Sequence, residues 1–214
     1  MDFGDSPESN ARVRATFRFL HQHRPDYLSE VVAGVHTLAI VLPETWRDAE
    51  HRARAQDALG LAIEQSSSMA EQPGRRVVLP VCYDASMAPD LERVCELTGL
   101  SAKAVIERHQ DAIYEAELVG FMPGFAYLGG LDATLAVPRL PTPRPAVPGG
   151  SLGITGTQCA VYPTATPGGW NLIGRCPLLL FDPHRAQPAL IALGDSVQFQ
   201  SISVSEFERL WGQR

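Results

Sequence analysis

At 214 residues and 45% hydrophobic content, the chain is long enough for one large domain or two small ones with genuine cores. A net charge of −6 at pH 7 and a pI of 5.5 argue against a nucleic-acid footprint. The polar, acidic start "MDFGDSPESN" does not read as a signal peptide, and no apolar run approaches membrane-spanning length.

The first third alternates between helical and extended patterns. Val13, Phe17 and Leu20 recur at helical spacing in "SNARVRATFRFL", with Ser9 or Asn10 as the cap. "SEVVAGVHTLAIVL" reads as two strands meeting near Ala33 and Gly34. "TWRDAEHRARAQDALGLAIEQ" places Ala49, Ala53, Leu59, Ala62 and Ile63 on one helical stripe, "SSSMAEQPGRR" reads as a loop, and "RRVVLPVCY" as a strand. One further strand at the N-terminal end of this order would complete the βαββαβ pattern of a ferredoxin-like α/β sandwich. The expectation is therefore an N-terminal α/β domain over residues 1–84 that lacks its first strand.

The second domain is expected over residues 85–214. "PDLERVCELTG" and "SAKAVIERHQDA" read as two short helices, with Gly99 ending the first and Ser101 capping the second. Cys95, Gly99 and Val105 match a helix-turn-helix spacing, but the second helix offers only Lys103 and Arg108 against Glu107. Phosphate binding needs more clustered positive charge, so the pair reads as an αα-hairpin. The texture then changes: residues 120–177 hold 11 of the 18 glycines and 9 of the 17 prolines. Short β-like runs ("YEAELVGF", "SLGITG", "QCAVYP", "WNLIGRC", "PLLLF") alternate with turns, and "LIALGDSVQFQSI" adds a closing strand. Such punctuation predicts a β-barrel or sandwich, with "SEFERLW" as a terminal helix.

Cys82, Cys95, Cys159 and Cys176 show no metal-binding spacing and sit among apolar neighbours, as buried free thiols of a reducing cytoplasm would. The lone lysine, Lys103, follows no glycine-rich loop, so no Walker loop is present. Residues 120–177 contain one carboxylate, Asp132, and no histidine, which leaves no local acid/base pair or Ser-His-Asp triad. What this stretch offers is guanidinium and hydrogen-bonding groups on constrained turns, suited to an organic anion. The candidate residues are Phe121, Gly124, Phe125 and Tyr127 in "GFMPGFAYLGG", and Arg139, Thr142 and Arg144 in "PRLPTPRP". Gly149, Gly150 and Ser151 in "VPGGS", Gln158, Tyr162, and Trp170 with Arg175 in "GGWNLIGR" complete them. Each also has a plain structural reading. Arg139 and Arg144 would serve as solvated loop residues, Trp170 as a core anchor and Ser151 as a turn residue. His109 fits a helix end and His184 a turn.

Several long blocks, "VGFMPGFAYLGGLD", "LAVPRLPTPRPAVPGGSLGITGTQ", "YPTATPGGWNLIGRCPLLLFDP" and "LGDSVQF", closely resemble the 5-oxoprolinase B-subunit family, also called KipI-like or allophanate hydrolase subunit 1. The resemblance runs almost end to end. It implies an α/β domain followed by a cyclophilin-like β-barrel. It also implies a partner C subunit (KipA-like), and with an A subunit an ATP-dependent complex that opens 5-oxoproline to glutamate. The residue census fits that chemistry: Arg139, Arg144 and Arg175 are the catalytic candidates, expected to line a pocket shared with the C subunit where a lactam is activated by phosphorylation. In this reading the chain is inactive alone. Family members usually carry a short strand before "FGD", which here follows Met1 almost at once. Other readings attach to the same resemblance: inhibition of a sensor histidine kinase, and a urea- or allophanate-type amide hydrolase subunit. Prolyl isomerase activity would rest on fold analogy alone.

Overall fold

The apolar stripe near the N-terminus forms α1 (Ser9–Gln22), which buries Val13 and Leu20. The computed structural model describes residues 1–4, 6, 8–25, 28–45, 48–67 and 74–213. Ser9 and Asn10 lie inside the helix rather than capping it; Glu8 takes the cap position without a side-chain bond. Their side chains instead reach carbonyls distant in sequence: Ser9 Oγ donates to Phe3 C=O at 2.9 Å and Asn10 Nδ2 to Val35 C=O at 2.7 Å.

β1 (Glu30–Ala33) and β2 (Leu38–Val41) pair antiparallel, with Ala33 opposite Leu38. The first strand is not wholly absent. Asp2 bridges Thr37 antiparallel, and Leu38 N–H donates to Met1 C=O at 2.9 Å, so residues 1–3 lie beside β2. α2 (Ala49–Ser67) buries Ala55, Leu59, Ala62 and Ser66. Ala49 and Ala53 of the expected stripe are exposed. Residues 68–73 of the expected loop lie outside the described residues.

The chain divides into two units, Met1–Gln72 and Pro73–Arg214. The division falls at 72/73 rather than 84/85 because β3 (Arg76–Val81) belongs to the second unit, where it pairs in parallel with the strand Ser196–Ser201. A four-stranded ferredoxin-like sheet is therefore not formed by the described residues of the first unit.

The rest of the second unit follows in order: α3 (Leu91–Thr98), α4 (Ala102–Asp111), β4 (Tyr114–Val119), β5 (Ala126–Gly129) and a 3-10 turn at Ala133–Leu135. Then come β6 (Arg144–Val147), β7 (Ser151–Thr155), β8 (Gln158–Val161), β9 (Thr166–Gly168), β10 (Asn171–Arg175), β11 (Ser196–Ser201) and α5 (Val204–Trp211). Seven strands join in the order β10-β7-β8-β5-β4-β11-β3. Cys82, just past β3, and Arg175 exchange both backbone hydrogen bonds at 2.9 Å, so the sheet curls into a nearly closed barrel. β6 and β9 form a separate ribbon. The interior is filled by side chains including Leu79, Val81, Leu128, Leu152, Ile154, Ile173 and Phe199.

The αα-hairpin expectation holds in detail. Gly99 ends α3 with a left-handed φ of 70°, and Ser101 Oγ accepts from Ala104 N–H at 3.2 Å. "PLLLF" is not a strand; among the described residues its only pairing is a single bridge from Phe181 to Ala189. His184 lies exposed in a turn, its N–H donating to Asp182 Oδ1 at 3.0 Å. His109 occupies the last turn of α4 as expected, yet it is fully buried. Its Nδ1 is 2.9 Å from the Tyr83 hydroxyl, and its ring lies against Tyr114 and Phe199. All four cysteines are free thiols, and Cys82, Cys159 and Cys176 are buried.

Candidate functional site

The segment joining β4 to β5 makes two successive tight turns. Met122 N–H donates to Gly120 C=O at 2.8 Å, closing a γ-turn around Phe121, whose φ is 68°. Phe125 N–H then donates to Met122 C=O at 3.1 Å, with Pro123 and Gly124 in the central positions. Proline first and a glycine of positive φ second is the type II pattern; Gly124 has a φ of 81°. A Cβ at Gly124 would also lie 2.7 Å from Phe181 Cβ. Both the turn and its packing therefore call for glycine at this position.

The turns deliver aromatic rings to one place. Phe125 packs edge-on against Tyr127, Tyr162 and Trp170, with centroids 4.8, 5.5 and 6.1 Å away. Phe121, Phe125, Tyr127, Tyr162, Trp170 and Arg139, with Pro143, Pro167, Gly168 and Gly169, line a groove of about 280 Å³. A Cβ at Gly168 would sit 2.6 Å from the Tyr162 hydroxyl, so any larger residue there would displace that ring. Burial pushes the Tyr162 phenol pKa up, while the Trp170 backbone and the charges of Arg139 and Arg144 pull it the other way.

Arg139 is the cation of this wall. Its backbone is held on both sides: Asn171 Nδ2 donates to Pro138 C=O at 2.9 Å, and Leu140 N–H donates to Gly169 C=O at 2.7 Å. Asn171 is itself fully buried and accepts from Arg93 Nε at 3.2 Å. The Arg139 side chain is exposed and makes no hydrogen bond, ion pair or ring contact among the described residues. Every other arginine among the described residues of the second unit has such a partner.

The other two expected arginines are engaged within the fold. Arg144 Nη2 lies 2.6 Å from Asp90 Oδ1, although its Nη1 is buried without a partner. Asp90 is 5% exposed, and its second oxygen accepts from Leu172 N–H at 2.7 Å. Arg175 donates through Nε to Gly149 C=O at 3.0 Å, and its guanidinium lies 4.4 Å over Trp211 and 5.8 Å from Phe207 of α5. Burial lowers its pKa. The expected three-arginine cluster is thus one free guanidinium, one salt-bridged neighbour and one helix clamp.

Of the remaining candidates, Phe121, Phe125, Tyr127 and Trp170 meet at the groove. Gln158 does not: its Nε2 donates to Glu117 at 3.3 Å, at the far end of β5 from Phe125. Ser151 is buried in β7, and Gly150 N–H donates to Tyr162 C=O at 2.7 Å. Gly149 packs against Thr164, and Thr142 is exposed outside the groove wall. Sequence reasoning missed Asp90 and Asn171. Asp90 reads locally as a helix cap but makes no side-chain cap bond. Among the described residues no cluster of metal-ligating side chains occurs, and no helix is long and apolar enough to cross a membrane.

A clamp role for Arg175 has a direct consequence. Arg175→Ala is expected to cost about 1–2 kcal/mol of stability through the lost cation–π contacts. Ligand affinity at the groove should stay within about twofold, and paired denaturant melts and ligand titrations check both.

Residues 1–191 match the family described as carboxyltransferase domain, subdomain C and D. The 5-oxoprolinase B subunit of Bacillus subtilis is 45% identical over 147 residues, covering 67% of this chain and 61% of that protein. The 5-oxoprolinase B subunit of Haemophilus influenzae is 36% identical over 194 residues, covering 90% of this chain and 89% of that one. Among solved structures, the crystal structure of TTHA0988 superposes with a TM-score of 0.80 at 32% identity, covering 95% of this chain and 39% of that chain.

Proposed function

The chain belongs to the 5-oxoprolinase B-subunit family, and from that premise we propose that it serves an ATP-dependent 5-oxoprolinase complex by holding the lactam substrate. The observation that carries this reading is Arg139: an unpaired guanidinium on a backbone pinned at both flanking residues, beside an aromatic groove of about 280 Å³. A small ring bearing a carboxylate matches both features, with the fork on the anion and the rings on the apolar face. Among the described residues the groove wall offers one unpaired cation and no carboxylate, which favours a singly charged organic anion over a magnesium-bound triphosphate. We therefore assign the guest's carboxylate to Arg139. Activation of the lactam oxygen, with the C and A subunits as the partners, is left to the rest of the complex. The free thiols fit a reducing cytoplasm.

Co-expression with the C and A partners tests this reading through 5-oxoproline-dependent ADP release. Arg139→Ala is expected to lower kcat/KM about 30-fold, the loss of about 2 kcal/mol from a charge-assisted bond. Arg139→Lys should recover only part of that, because a point charge cannot reproduce the fork. ADP release that ignores 5-oxoproline would overturn the reading. A second reading, a KipI-like module that binds a sensor kinase, draws on Phe121, which is 61% exposed beside the groove. Tight kinase binding by a chain that supports no ADP release would favour it.

A further inference from the structure

We propose that Phe121 is a specificity-determining residue, a strained aromatic wall held over the groove to select ring-bearing carboxylates over open-chain ones. The inference rests on the substrate reading above and deepens it.

Phe121 is the only non-glycine residue with positive φ among the described residues, at 68°. It is the centre of a γ-turn of the rarer, strained form. A bulky side chain in this region is disfavoured, whereas glycine adopts it freely. The side chain gains little for the fold in return: it is 61% exposed, and its one ring contact is an edge-on approach to Phe125 at 5.2 Å. For folding alone, glycine would be the better residue here. Strain kept without compensating burial points to function, and this ring lies on the rim of the groove that Arg139 and Trp170 also line. A guest anchored by its carboxylate at Arg139 would place its remaining atoms among these rings. A closed ring presents an apolar face to Phe121; an open-chain amide does not.

The test pairs stability with discrimination. Phe121→Gly removes both the ring and the strain, whereas Phe121→Ala removes the ring and keeps the strained φ. Thermal melts of the full chain and KM values in the co-expressed complex are compared for 5-oxoproline as substrate. N-acetylglycine, an open-chain amide carboxylate, is titrated as a competitive inhibitor. Expected is a roughly tenfold rise in KM for 5-oxoproline in both variants, with N-acetylglycine inhibition changed less than about twofold. Phe121→Gly should melt at or above the parent and above Phe121→Ala. Unchanged KM in Phe121→Gly, or a glycine variant melting below the alanine one, would overturn the proposal while leaving the substrate reading intact. Failure of the parent complex to use 5-oxoproline would remove the substrate reading and this inference with it.

Discussion

Acidification from pH 6.5 to 3 is expected to strip stability from the barrel through His109, at about 1.4 kcal/mol per pH unit. The ring is fully buried among Tyr83, Tyr114 and Phe199, and burial lowers its pKa from 6.5 to about 3. Between those values the unfolded chain takes up a proton that the native state refuses. His109 therefore costs nothing above pH 6.5, and stability falls progressively as pH drops toward 3. The site does not stabilise the charged form. Nδ1 faces the Tyr83 hydroxyl, Nε2 is buried without a partner, and no carboxylate bonds to the ring. His109→Phe preserves an aromatic filler and removes the titration. Urea melts of both proteins across roughly pH 4.5–7.5 should show the parent losing stability relative to the variant at the stated slope below about pH 6.5. Parallel pH profiles would show that the imidazole is hydrated in the native state.

The second large effect concerns Asp90. Its carboxylate joins three parts of the second unit: the start of α3, the β10 backbone at Leu172 N–H, and β6 through Arg144. Asp90→Ala should cost about 3 kcal/mol, the lower end for breaking a buried ion pair. The lower end applies because the Arg144 side chain is 29% exposed, so solvent screens part of its charge. Asp90→Asn keeps an acceptor for Leu172 N–H and should cost about half as much. Asp90→Ala combined with Arg144→Met should recover much of the loss, since no charge is then left unpaired. Denaturant melts of the single and double variants give the coupling; additive losses would mean that the two residues do not act as a pair.

Local features are legible from the chain alone. Gly99 and Ser101 place the α3–α4 junction because capping depends on residues within about four positions. The density of Gly and Pro locates the groove, because tight turns demand those residues wherever they fall. Nonlocal pairing is not legible. Nothing in "RRVVLPVCY" indicates that its partner strand is Ser196–Ser201, far along the chain, so the sequence pattern alone puts β3 in the wrong domain. The three arginines look alike in sequence, and what separates them is Asp90 beside Arg144, Trp211 beneath Arg175 and, among the described residues, no hydrogen-bonding or ion-pair partner for Arg139. Ser9 and Asn10 mislead for the same reason: distant carbonyls compete successfully for their side chains.

These observations reduce the site to a single anchoring charge set among rings, with Asn171 and the Leu140–Gly169 bond holding that charge in place. The most direct test is a crystal structure of the chain with its C and A partners and bound 5-oxoproline. The expected result is the ligand carboxylate about 3 Å from the Arg139 guanidinium, with its ring against Trp170 and Phe121. A ligand seated elsewhere, with Arg139 still free in solvent, would contradict it.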